Sequence, residues 1–165
     1  MPLLSVGYGK DNFDALIERL APFRISHLAD VRTNPYSRYQ TDFRGKEFED
    51  AVNKSGIKYV FLGDRLGGKP SDPEVMTDGE IDWQKVRHSV WYVEALDKLV
   101  EAAENDKNRI CLMCGCGMPG ECHRGTKLCE YLLERGLDTL HILPNGETIL
   151  QSELRLQWLS QPALF

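Results

Sequence analysis

Short apolar runs alternate with amphipathic stretches along nearly the whole chain, and this rhythm predicts strands and helices in turn. Residues 3–6 (Leu-Leu-Ser-Val) predict a strand that Gly7 and Gly9 break. Phe13, Leu16, Ile17 and Leu20 recur at helical spacing over 12–21, with Asp11 available as cap and Pro22 as terminator. Residues 25–31 predict a second strand, 46–54 a short helix ending at Gly56, and 57–62 a third strand. A long loop rich in glycine and proline is expected over 63–80. The longest helix is expected over 83–104, with Val86, Val90, Val93, Leu96, Leu99 and Val100 as its apolar stripe. Residues 109–113 then predict a buried strand, 121–135 a helix ended by Gly136, 138–143 a strand and 149–159 a final amphipathic helix.

Strands that alternate with helices imply right-handed crossovers. The expected fold class is therefore α/β, a three-layer α/β/α arrangement with a mostly parallel, doubly wound sheet. Sheets of this kind bind ligands beyond the carboxyl ends of their strands. The loops after Val6, after Asp30-Val31 and after Met113 should thus meet. A length of 165 residues suits one domain over 1–165 with one core.

Composition adds three constraints. The net charge of -5 argues against broad, nonspecific binding to duplex nucleic acid, which needs many cations on phosphate, but leaves room for a local basic pocket. The first residues, Met1-Pro-Leu-Leu-Ser-Val-Gly7, lack the charged start and apolar run of a signal peptide, and no stretch reaches a membrane span. A cytoplasmic protein with no membrane partner is expected. All five cysteines fall between Cys111 and Cys129, which without a secretory signal points to reactive or metal-binding thiols rather than a disulfide framework.

The strongest local signal is a strand, then Cys114-Gly-Cys-Gly-Met-Pro-Gly-Glu-Cys-His-Arg124, then a helix. A helix start offers free N–H groups and a positive dipole end. Glycines let the backbone approach an anion, and the same field favours a thiolate. Cys114 or Cys122 is the candidate nucleophile, the other a resolving thiol, and His123 a proton shuttle. The competing readings are thiolate metal binding by Cys114, Cys116, Cys122 and His123, and plain packing. Packing suits Cys111 and Cys129, one within a strand and the other within a helix. The ligand spacing matches no common zinc motif, so no resident metal or cofactor is expected.

A second segment, Asp30-Val-Arg-Thr-Asn-Pro-Tyr-Ser-Arg38, should end at the same sheet edge. Arg32, Arg38 and Arg124 would clamp an anion there, with Asp30 orienting Arg32 or accepting a proton. The plainer alternative is a solvated loop capped by Asp30. A third, weaker segment, Gly63-Asp-Arg-Leu-Gly-Gly-Lys-Pro70, offers Arg65 and Lys69 to a ligand but lacks the spacing of a nucleotide P-loop. His27, His88 and His141 show no partner pattern, and Trp83, Trp91 and Trp158 are expected to pack.

Four segments together resemble the domain of unknown function 488 family: Ser5-Val-Gly-Tyr8, Asp30 to Arg38, Tyr59-Val-Phe-Leu-Gly-Asp-Arg-Leu-Gly-Gly68, and Cys114 followed after seven residues by Cys122-His-Arg124. The resemblance spans almost the full chain and implies a compact α/β domain with a shared site, without an assigned reaction. A more distant similarity is to rhodanese-like domains and the cysteine phosphatases related to them. It implies Cys114 at the nucleophile position and Arg124 at the helix start, although the loop between them is longer here.

The expected function is a cysteine-dependent enzyme, a hydrolase or transferase, acting on a small anionic or phosphate-bearing substrate. The alternatives are a thiolate metal-binding protein or a binding module for a nucleotide or a nucleic-acid end. In the latter, Tyr36, Tyr39 and Phe43 would stack bases of single-stranded nucleic acid while Arg38 and Arg44 grip phosphate.

Overall fold

A computed structural model of the chain describes residues 2–161; Met1 and residues 162–165 of the expected domain lie outside the described residues. In chain order it contains β1 (Leu3–Gly7), α1 (Phe13–Leu20), β2 (His27–Asp30), α2 (Gly45–Lys54), β3 (Lys58–Phe61), α3 (Gly63–Leu66), β4 (Met76–Thr77), β5 (Glu80–Ile81), α4 (Trp83–His88), α5 (Val90–Glu104), β6 (Ile110–Cys114), α6 (Cys129–Glu134), β7 (Thr139–Ile142), β8 (Thr148–Leu150) and α7 (Gln151–Ser160). Six strands form one sheet in the order β3-β2-β6-β1-β7-β8, parallel except for β8. Every residue of β1 and β6 is buried, as expected of central strands covered on both faces.

Alternation along the strands divides the core into two layers. Leu4, Val6, Leu28 and Met113 pack with Leu16 and Leu20 of α1 and Phe48 and Val52 of α2. On the other face, Leu3, Ala29 and Leu112 pack with Tyr92, Leu96 and Leu99 of α5 and Leu132 of α6. The result is the expected three-layer α/β/α fold. β1 and β6 run in parallel register, with Gly7 beside Cys114, so the first and third predicted loops leave the sheet side by side.

Four local features differ from the pattern-based expectation. Asn12, not Asp11, caps α1 by accepting the Ala15 N–H at 2.8 Å, while Asp11 pairs with Arg19 at 2.5 Å. The long helix breaks at Ser89, whose backbone is extended (φ -68, ψ 137) and whose hydroxyl bonds the Lys85 carbonyl at 2.9 Å. The apolar stripe continues across the break, so periodicity alone conceals it. The loop 63–80 contains α3 and a small hairpin, β4 with β5, turned by Asp78 and Gly79 at positive φ (53 and 80). This is the geometry for which Asp-Gly is favoured. Finally, the chain turns at Asn145-Gly146 and returns as β8, pairing antiparallel with β7 before α7 begins. Among the described residues, no helix is long and apolar enough to cross a membrane.

Candidate active site

Cys114 ends β6, and its side chain lies on the α5–α6 face of the sheet, almost fully buried at 3% exposure. The turn beyond it folds back, and Cys122 Sγ reaches 3.4 Å from Cys114 Sγ. The Cys116 sulfur joins them, so that the three Sγ atoms lie within 4.8 Å of one another. Cys116 is exposed, Cys122 half-buried.

Two glycines make this turn possible. A Cβ on Gly7 would stand 1.6 Å from the Cys116 carbonyl oxygen, and one on Gly125 would stand 2.1 Å from the Pro119 carbonyl oxygen. Each contact is with backbone, so neither neighbour can swing aside.

The helix after the turn differs from the regular helix expected over 121–135. A short 3-10 turn at Pro119–Glu121 comes first, and Cys122 is extended (φ -146, ψ 165) rather than helical. Residues Arg124–Leu128 then form a π-helical turn that runs into α6. The Cys129 N–H reaches back five residues to the Arg124 carbonyl, and Thr126 bonds the Cys122 carbonyl with both its N–H (3.0 Å) and its hydroxyl (2.9 Å). Single π-turns of this kind re-aim side chains at functional sites.

Arg124 is what the π-turn aims. It is wholly buried, yet its Nε–H points at Cys114 Sγ at 3.1 Å. Its Nη2 donates to the Cys116 carbonyl at 3.3 Å, and its Nη1 donates to the Ser5 hydroxyl. This geometry holds a fixed positive charge against the sulfur cluster. The cluster divides its protons unequally. The Cys122 thiol is pushed up, first by its hydrogen bond with Cys114 and then by burial. The Cys116 thiol is drawn down by its hydrogen bond with Cys114, against the opposing effect of burial. Cys111 and Cys129, fully buried, are both pushed up to about 12, chiefly by desolvation, and act as core residues as their positions suggested.

Sequence reasoning missed what holds Arg124. The Ser5 hydroxyl, receiving the guanidinium, donates to His141 Nδ1 at 2.6 Å. His141 Nε2–H then donates to Gln151 Oε1 at 2.6 Å, which fixes the tautomer. Gln151 in turn donates to Glu130, and Glu130 accepts Arg155 Nε at 2.7 Å. A polar Ser in an otherwise apolar strand was the available signal. His141, which shows no partner pattern in the sequence, is the centre of this spine.

Burial, followed by the opposing hydrogen bond to Gln151 and the repulsion of Arg124, lowers the His141 pKa from 6.5 to about 4. The unfolded chain therefore binds this proton more readily than the folded one. Its contribution is intact above pH 6.5 and is lost as the pH falls toward 4, by up to about 3 kcal/mol in total. Urea midpoints measured across this interval should fall with acid, and the His141→Asn variant should show a flatter acid limb.

The other candidates separate. In the sheet register Asp30 pairs with Met113, whose side chain lies on the α1–α2 face, opposite to that of Cys114. Asp30 does orient Arg32, accepting its Nε (3.0 Å), Nη2 (2.7 Å) and backbone N–H (3.0 Å). Arg32 spends its Nη1 on the Phe43 carbonyl at 2.7 Å and on the Tyr8 hydroxyl, and its guanidinium lies over the rings of Tyr8 and Phe48. The Tyr59 hydroxyl completes Asp30 at 2.7 Å and is held protonated by burial and by that carboxylate. Asp30 and Arg32 thus form a satisfied buried pair on the far face, and the structure does not bring Arg32 to the same pocket as Arg124.

Arg38 is exposed, and Arg44 is occupied with the carbonyls of Ser37 and Arg38 and with the Tyr36 ring at 4.8 Å. Phe43 is not available for base stacking, because it is buried and stacked on Tyr8 at 3.9 Å. Tyr39 remains exposed at 88%.

His123 borders the sulfur cluster without joining it. Its Nε2–H donates to the Leu66 carbonyl at 3.2 Å, and its ring stacks on Trp83 at 6.5 Å. Burial lowers its pKa, the Leu66 carbonyl opposing, so the imidazole is neutral near pH 7. Gly68 lies against the same ring, where a Cβ would stand 2.7 Å from Nδ1, and Lys69 N–H bonds Thr33 at 2.9 Å. The glycine-rich segment 63–70 therefore walls the site. A groove of about 360 Å³ elsewhere, lined by His27, Phe61, Leu99, Ala102, Asn108 and Ile110, holds no thiol.

No curated protein and no solved structure matches the chain. A family model described as Domain of unknown function DUF488 matches residues 12–132, a stretch that holds the three thiols, His123 and Arg124. The chain belongs to the DUF488 family.

Proposed function

We propose that the protein is a cysteine-dependent enzyme in which Cys114 is the nucleophile and Cys122 the resolving thiol. The observation that carries this reading is the Arg124 Nε–H aimed at Cys114 Sγ, with Cys122 Sγ 3.4 Å away. The Cys114 sulfur, with the Arg124 guanidinium beside it to offset its charge, attacks an electrophilic centre of the substrate and expels its leaving group. The adduct no longer carries the sulfur's charge. Arg124 Nε–H is then released to an anionic oxygen of the transferred group, which suits a small anionic or phosphate-bearing substrate. Formation of the adduct also removes the main cause that keeps Cys122 protonated, its hydrogen bond with Cys114. Cys122 becomes able to lose its proton to the neutral His123 or to solvent and to attack the transferred group, which passes to Cys122 as its bond to Cys114 breaks and is then taken up by water or an acceptor. Where the adduct is a mixed disulfide, Cys122 attacks the Cys114 sulfur instead and the bound thiol leaves. Free thiols with these roles need a reducing compartment, and the cytoplasm provides one.

The test uses the Cys116→Ser protein and an aromatic disulfide as electrophile. Cys114 should displace one aromatic thiolate, and Cys122 should then displace the second while closing the Cys114–Cys122 disulfide. Both equivalents are counted by absorbance and the bond is located by mass spectrometry. The Cys114→Ser variant should lose the fast phase. A first step no faster than that of an exposed model thiol would refute the nucleophile. A rate unaffected by added phosphate or sulfate would refute the anionic substrate.

A further inference from the structure

We infer that Cys114, Cys116 and Cys122 together form a three-thiolate site for a soft monovalent metal ion, Cu(I). The reaction proposed above leaves the third sulfur idle, so this inference does not rest on that reading. The geometry suits an ion placed between the sulfurs. Metal–thiolate bonds are about 2.3 Å, so three sulfurs arranged trigonally around one ion lie about 4 Å apart. The Cys114 and Cys122 sulfurs are 3.4 Å apart and no separation among the three exceeds 4.8 Å, which is close to that value. Small shifts within a glycine-rich turn would complete the site.

The donor set decides the ion. It consists of sulfur alone, which excludes hard cations and favours Cu(I) or Zn(II). Zn(II) completes a tetrahedron, but among the described residues the group of donor atoms that lie within 4.8 Å of one another holds the three sulfurs alone: the neighbouring His123 faces the Leu66 carbonyl with Nε2 and Gly68 with Nδ1. Three thiolates around a monovalent ion leave two negative charges. The buried Arg124 guanidinium, already hydrogen-bonded to Cys114, offsets one of them. Cys116 is exposed and gives the ion an entry path from solvent.

The experiment titrates the reduced full-length protein with Cu(I) under anaerobic conditions against a coloured Cu(I) chelator, with Zn(II) in a parallel series. The wild type should withhold one equivalent of Cu(I) from the chelator. Cys116→Ser should bind Cu(I) at least about tenfold more weakly, since loss of a direct ligand costs no less than loss of an outer-shell partner. The same variant should keep the far-ultraviolet circular dichroism and the urea midpoint of the wild type without metal, which shows that the fold is intact. Failure of the wild type to retain Cu(I), unchanged affinity in Cys116→Ser, or retention of Zn(II) with none of Cu(I) would each overturn the copper site. None of these results bears on whether Cys114 is a nucleophile.

Discussion

Arg124→Leu is expected to lower stability by about 3 kcal/mol and to slow the reaction of Cys114 with an aromatic disulfide at neutral pH by about tenfold or more. The two effects share a cause. Ser5, the Cys116 carbonyl and the sulfur cluster all take N–H groups from this one buried side chain. Without it the polar atoms keep their burial and lose their partner, and the cluster must hold its protons to avoid an uncompensated charge. Arg124→Lys retains the charge but not the three-way geometry. It should recover part of the reactivity and little of the stability. Urea titration and stopped-flow absorbance check the two effects separately. Equal reactivity in Arg124→Leu and the wild type would show that the guanidinium is only structural.

Asp30→Ala should cost about 3–5 kcal/mol, because it leaves the Arg32 cation buried without its carboxylate. Tyr59 and the Arg32 backbone N–H lose their acceptor in the same substitution. The Asp30→Ala/Arg32→Met double variant removes both charges and should regain much of the loss, with methionine filling the space between Tyr8 and Phe48. If the double variant is as unstable as the sum of the singles, Asp30 and Arg32 are not a coupled pair.

Strand and helix order was legible because each central strand is a short apolar run and each helix shows its own stripe. The shortest elements were not. β4, β5 and β8 are two or three residues long, too short for alternation to show, and only their Asp78-Gly79 and Asn145-Gly146 turns announce them. The break at Ser89 has no proline or glycine to mark it. The site was legible where it is local. Cys114, Cys122, His123 and Arg124 lie in one segment, and a segment can be recognised by its chemistry. The parts assembled across the sheet were hidden. Ser5 and His141 are 136 positions apart, and only the β1–β7 register brings them together. Asp30 and Arg32 were expected in the cleft because both end a strand at the correct edge. Alternation within a strand says which residues share a face; it cannot say that this face is the one opposite Cys114.

The π-turn at Arg124–Leu128 makes the site sensitive to chain length as well as to side-chain identity. It accommodates one residue more than an ordinary turn would. Loss of a single codon there would let the segment relax to a regular helix, and a shift of one position rotates a side chain by about 100° around the helix axis. Arg124 would then leave the sulfur even though every chemical group of the site remained encoded. Variants that change side chains on the outer surface of this segment should be far better tolerated than an in-frame deletion of one amino acid.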